Sequence, residues 1–273
     1  MSYVPSVPVG GYAGWAFLQR TYDKQLANFT AASDVQRKED YFREWISTVS
    51  SAAELVSDRR LLEVALGAFG LDDDIDNKYF IQRVLEEGSL TNDALAHKLS
   101  DKRYLALTVE FGFGDYNTPR TILSDFADRI IASFEARQFE RAVGEIDQGL
   151  RLALNANREL PEVISGTASE KTKWFSIIGS DPLASVFRSA LGLPEAVSAL
   201  DVDQQVTIYQ EKTRDVFGSS DPGLLEDAEQ LQSLVQRMLL NRQLSDAQAQ
   251  SSGSIALQLL KVGATPAGLT LRL

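Results

Sequence analysis

The chain contains no cysteine in 273 residues and a single histidine, His97. The first absence excludes disulfides, thiolate metal sites and cysteine nucleophiles together. The second excludes any site built from several imidazoles, and a lone histidine with no orienting partner predicts a surface or helix-packing role. No stretch approaches the ~20 apolar residues needed to cross a bilayer, so membrane insertion is not expected. The opening segment, MSYVPSVPVGGYAGWAF, lacks a basic region followed by an apolar core. No Sec-type signal is therefore expected, and synthesis is expected to leave the chain in the cytoplasm.

Positive charge is also in short supply. Against 38 Asp+Glu stand 27 Lys+Arg, a formal charge of -11, which repels phosphate backbones unless a local basic patch overrides it. The densest basic stretches, Gln36-Arg37-Lys38 and Glu170-Lys171-Thr172-Lys173, are short and flanked by acids. Nucleic acid is not an expected partner. What the chain does have is 44% hydrophobic residues, enough to build a core at this length without staples.

Helical spacing dominates the pattern. Residues 1-11 carry Pro5, Pro8, Gly10 and Gly11 and read as a flexible N-terminal arm. Trp15, Leu18, Tyr22, Leu26 and Phe29 then step by three and four along one helix face. Of these, Trp15, Leu18 and Tyr22 are candidate partner-contact residues. A second helix carries Val35, Phe42, Trp45, Ile46 and Val49, and the helical domain as a whole is expected over 12-246.

Three segments share a start and stop signature: Ser57-Asp58 to Gly70, Ser100-Asp101 to Gly112, and Ser180-Asp181 to Gly192. Ser and Asp can accept from the orphan N–H groups of a first turn, and glycine can take the left-handed C-terminal conformation. The first and third copies agree further, with Leu61, Val64, Ala68, Gly70 and Leu71 in register with Leu183, Val186, Ala190, Gly192 and Leu193. Each leads to an acidic turn, Asp74 to Asn77 and Asp201 to Gln204, and a further helix closed by Gly88 or Gly218. Repeat-like units near 57-88 and 180-218 follow, too few for a solenoid.

Between them, Thr118-Pro119 opens a stretch that reads as one long central helix over 118-160. Phe139, Val143, Ile146, Leu150 and Ala153 give it a short heptad seam, expected to pack within the chain. Gly144 and Gly149 signal a close contact or a bend. Residues 247-273 read as a polar linker followed by a tail. In that tail Leu269, Leu271 and Leu273 alternate with polar residues and are further candidate partner contacts. The expected fold is all-α: a multi-helix bundle with a duplicated helix-turn-helix unit around a long central helix, and flexible termini.

No motif carries chemistry. The run Asp72-Asp73-Asp74-Ile75-Asp76-Asn77 fails the calcium-loop spacing, with Asn77 where glycine is needed and Arg83 where a bidentate glutamate belongs. Acids at a helix start are favoured by the helix dipole instead. Phe111-Gly112-Phe113-Gly114 lacks the third glycine and preceding strand of a dinucleotide loop. No catalytic residue, cofactor or metal is expected.

Several stretches together resemble a family of alphaproteobacterial proteins encoded beside flagellar genes, the domain of unknown function 1217. They are GYAGWAFLQRTYDKQ, SDRRLLEVALGAFGL with YFIQRVLEEG and LSDKRYLALTVEFGFG, RQFERAVGEIDQGLRLALNANREL, and SALGLPEAVSALDVDQQ. The resemblance spans nearly residues 11-240 and brings no catalytic residues with it. It implies a flagellum-associated structural or assembly protein acting by protein-protein contact, with flagellar components as partners and a homo-oligomer compatible with that role. Export by the flagellar apparatus and a cytoplasmic assembly role are both consistent with it. The competing expectation is a hydrolase-like enzyme using paired carboxylates on a flagellar or cell-wall component.

Overall fold

The predicted helical spacing is realised as thirteen α-helices and five short 3-10 turns, with no strand, among the residues that the computed structural model describes. These are residues 3–263, with side chains as far as Gln248. After α1 (Gly11–Thr30), one half of the chain comprises α2 (Ser33–Trp45), α3 (Ala52–Ser57), α4 (Arg59–Phe69), α5 (Lys78–Glu87), α6 (Leu95–Lys98), α7 (Arg103–Phe111) and α8 (Phe126–Gly144). The other comprises α9 (Gln148–Ile164), α10 (Glu170–Gly179), α11 (Asp181–Leu191), α12 (Val202–Phe217) and α13 (Ala228–Gly263).

The two halves share a packing pattern that covers more helices than the segments matched in sequence. In the first half α2 packs on α4 and α8, α3 on α4 and α5, and α4 on α8. In the second, α9 packs on α11 and α13, α10 on α11 and α12, and α11 on α13. Even the 3-10 turns before the last helices correspond: Arg120–Ile122 lies against the turn that extends α2, and Pro222–Glu226 lies against α9. The repeated unit is thus five helices, interrupted in the first half by α6 and α7.

The best-matched helices, α4 and α11, end in the same motif for the same reason. Gly70 and Gly192 take left-handed conformations, φ 71° and 66°. The turn lets Leu71 N–H donate to the Leu66 carbonyl and Leu193 N–H to the Arg188 carbonyl, both at 2.9 Å. Orphan carbonyls of the last turn are satisfied in both copies. A β-carbon at Gly192 meets nothing within 4 Å, so only backbone strain opposes it. Gly192→Ala is expected to cost about 1 kcal/mol, read as a shift in the urea midpoint without a change in slope.

One expectation is overturned at 118-160, which is not a single helix. Pro119 precedes only a 3-10 turn, α8 ends at Gly144, and α9 starts at Gln148 and runs through Pro161. The break is made by Asp147. Its Oδ1 accepts from the Gly149 and Leu150 N–H groups at 2.7 and 3.2 Å, capping α9, while Oδ2 accepts from Gly11 N–H at 3.0 Å. One carboxylate therefore serves the N-termini of two helices, a position their dipoles favour. The heptad seam is split accordingly. Phe139 and Val143 are buried on α8, Leu150 and Ala153 on α9, and Ile146 between them is 44% exposed. Asp147→Ala is expected to destabilise by about 1–2 kcal/mol, again from the urea midpoint, with fraying of α9 visible as faster exchange of the Gly149 and Leu150 amides.

Residues 3–10 form no helix, yet they lie docked along α1 as a strap. Ser6 N–H donates to Gln25 Oε1 at 2.7 Å, and Gln25 Nε2 donates back to the Ser6 carbonyl at 3.0 Å. Eight extended residues reach about 26 Å, close to the rise of about 27 Å from Gly11 to Phe29 along α1. Gly14 makes the close approach possible, since a β-carbon there would overlap the Val9 carbonyl oxygen. At the other end, α13 stays helical through 247–254, where the composition suggests a linker. Alanine and glutamine in that stretch are good helix formers, and no proline interrupts it. The remaining tail lies outside the described residues.

Helix α1 bridges the two halves, contacting α2, α8, α9 and α13. Trp15 and Leu18 are buried where these helices meet, each contributing about 1.5–3 kcal/mol through removal from water.

Candidate functional site

A cleft of about 560 Å³ opens between α2, α4, α8 and the strap. Tyr3, Val4 and Pro5 form one wall, and Phe29, Val35, Leu66 and Phe134 supply apolar lining. Its charges are largely neutralised locally. Lys38 pairs with Glu63 at 2.6 Å, Arg141 with Asp72 at 3.0 Å, and Gln138 donates to Asp72 at 2.6 Å. Arg59 turns to Asp76 at 2.7 Å. A smaller cavity of about 240 Å³ lies where Gly11, Asp147 and Gly149 meet Leu239, Arg242 and Gln243 of α13. Two carboxylates line it, Asp147 and Asp246, and Asp147 is already engaged by three backbone N–H groups.

Paired carboxylates do occur, away from both cavities. Glu39 of α2 is buried and its Oε1 finds no hydrogen-bond partner. Burial, then the facing Glu135 of α8, push its pKa up to about 7. Burial also raises Glu135. Two facing carboxyls shielded from water disfavour the doubly charged state, so the pair holds a proton more firmly than isolated glutamates do. Neither residue lines either cavity. A second polar contact, Glu140 with Arg158 at 2.6 and 3.1 Å, ties α8 to α9 and is fully paired.

The predicted contact residues are not brought together as a surface. Trp15 and Leu18 are 1% and 0% exposed and hold α1 to the body, while Tyr22 is half-buried with its ring edge-on to Phe139 at 5.5 Å. Leu269, Leu271 and Leu273 lie outside the described residues. His97 is half-buried, its Nε2 lying 2.7 Å from the Ser89 carbonyl oxygen. The acidic run is likewise consumed by structure: besides the Asp72 contacts, Asp74 accepts from Tyr104 Oη at 2.6 Å. Among the described residues no cluster of three metal-ligating side chains occurs, and no helix is long and apolar enough to cross a membrane. Gln25, Glu39 and Glu135 escaped the sequence reading, because a glutamine or glutamate on a helix gives no local sign of which face is covered.

These observations define an all-α protein built from a duplicated five-helix unit, its ionisable residues largely occupied in caps, turns and ion pairs. By sequence, the chain belongs to the family described as protein of unknown function (DUF1217), which it matches over residues 68–248. No curated protein matches it. The crystal structure of protein AGR_C_984 from Agrobacterium tumefaciens is similar, with a TM-score of 0.70 and 28% identity, covering 89% of this chain and 99% of that one.

Proposed function

We propose that the chain is a non-catalytic, flagellum-associated structural or assembly protein that works by contact with other proteins. The observation that carries the contact part is the arrangement of the ionisable groups. The cleft beside the strap is lined by apolar residues and mutually paired charges, and the coupled carboxyls of Glu39 and Glu135, packed between α2 and α8, line neither cavity. Exposed apolar side chains such as Leu240 and Leu244 on α13, one helical turn apart, add surface suited to another protein. The flagellar part rests on the resemblance of the quoted stretches to proteins encoded beside flagellar genes. Fractionation of motile cells tests it. The chain is expected with hook-basal-body or filament fractions, or bound to flagellar proteins in the cytoplasm; recovery only as free protein would contradict it.

A further inference from the structure

The docked strap shows how the neighbouring groove recognises a chain. Gln25, itself 5% exposed, offers both its amide oxygen and its amide nitrogen to the backbone of one residue, Ser6. Its amide is oriented from behind, donating to Thr21 Oγ1 at 2.8 Å. That contact reads an extended backbone and is indifferent to the side chain it carries. Specificity comes from either side of it. Pro5 is buried, and the Tyr3 ring meets Phe29 edge-on at 6.5 Å. The strap's residues 3–9, YVPSVPV, carry no charge and two prolines, which favour the extended form before docking. Its attachment to α1 passes through Gly10 and Gly11, the latter at φ +65° with its N–H held by Asp147, so any release of the strap pivots ahead of that anchor. The cleft of about 560 Å³ opens beside Tyr3, Val4 and Pro5. A longer segment would make the strap's contacts and further ones in the cleft.

We propose that the groove along α1 is a binding site for an extended, uncharged, proline-containing segment of a partner protein, and that residues 3–9 are a self-supplied occupant which that segment displaces. This deepens the contact reading above by naming the chemistry of the partner. The absence of cysteine permits a clean test on the full chain. Val4, 71% exposed, is replaced by cysteine and spin-labelled, and a synthetic peptide of residues 3–10 is titrated in, with a scrambled peptide as control. The mobile fraction of the label is expected to rise saturably with the peptide and not with the control. Gln25→Ala is expected to free the label without peptide. A label that stays immobile up to millimolar peptide, or that responds equally to the scrambled sequence, overturns the proposal. Displacement in the purified protein is independent of flagellar recovery from cells, so the two readings fail separately.

Discussion

Trp174→Ala is expected to lower the unfolding free energy by about 3–5 kcal/mol, the range for deleting a buried aromatic side chain. Trp174 of α10 is fully buried. Its ring is edge-on to Phe187 of α11 at 5.2 Å and to Tyr209 of α12 at 5.8 Å, and its indole N–H donates to the Ser220 carbonyl at 2.9 Å. One side chain thus joins three helices of the second unit to the turn that leads into α13. Its loss leaves a cavity, removes two aromatic contacts and leaves the Ser220 carbonyl without that donor. Urea unfolding followed by far-ultraviolet circular dichroism measures the effect. A melting temperature lower by roughly 10 °C is expected for a chain of this size. A loss below about 1 kcal/mol would mean that the three rings do not form the centre of that unit.

Glu39→Gln is expected to stabilise the protein in neutral and alkaline solution and to do little in acid. The carboxyl of Glu39 has its pKa raised from 4.5 to about 7 by burial and by Glu135. The folded chain therefore holds a proton that the unfolded chain has released. Stability contributed by this group is fully present below about pH 4.5 and is lost as pH rises through about 7. The charged groups facing it are Glu135 of α8 and, on its own helix, Arg43 and Asp40; Arg43 is itself drawn to Asp128 at 3.1 Å. A neutral amide removes the penalty at pH 8, on the order of 2 kcal/mol after allowance for coupling within the pair. Thermal melts at pH 4.5 and pH 8 measure both arms. Equal melting shifts at the two pH values would refute the shared proton.

The fold was legible where local chemistry decides it. Asp58 caps α4 and left-handed glycines close α4, α7 and α11, all carried by residues adjacent in sequence. The break at Asp147 was less legible, because Phe139, Val143, Ile146, Leu150 and Ala153 keep heptad spacing across it, and spacing does not register a carboxylate shared with Gly11 in another helix. Strap docking was hidden for the same reason. The prolines and glycines that suggest a loose arm also describe an extended segment held by Gln25, and only the tertiary structure tells these apart. Trp15 and Leu18 show a limit of amphipathic reasoning: a face at helical spacing announces burial, and in this chain α1 packs against the chain's own α2, α8, α9 and α13. The carboxyl pair lies furthest from the sequence, since Glu39 and Glu135 are brought together only by the packing of α2 on α8.

The most direct test of a role through contact and not chemistry is in-cell cross-linking, followed by purification of the chain and mass spectrometry of what it carries. Wild type and a Glu39→Gln, Glu135→Gln variant are compared in motile cells. The account predicts the same flagellar proteins, in the same yield, on both. Absence of any flagellar partner on the wild type, or loss of motility in a variant that is folded and more stable, would contradict it.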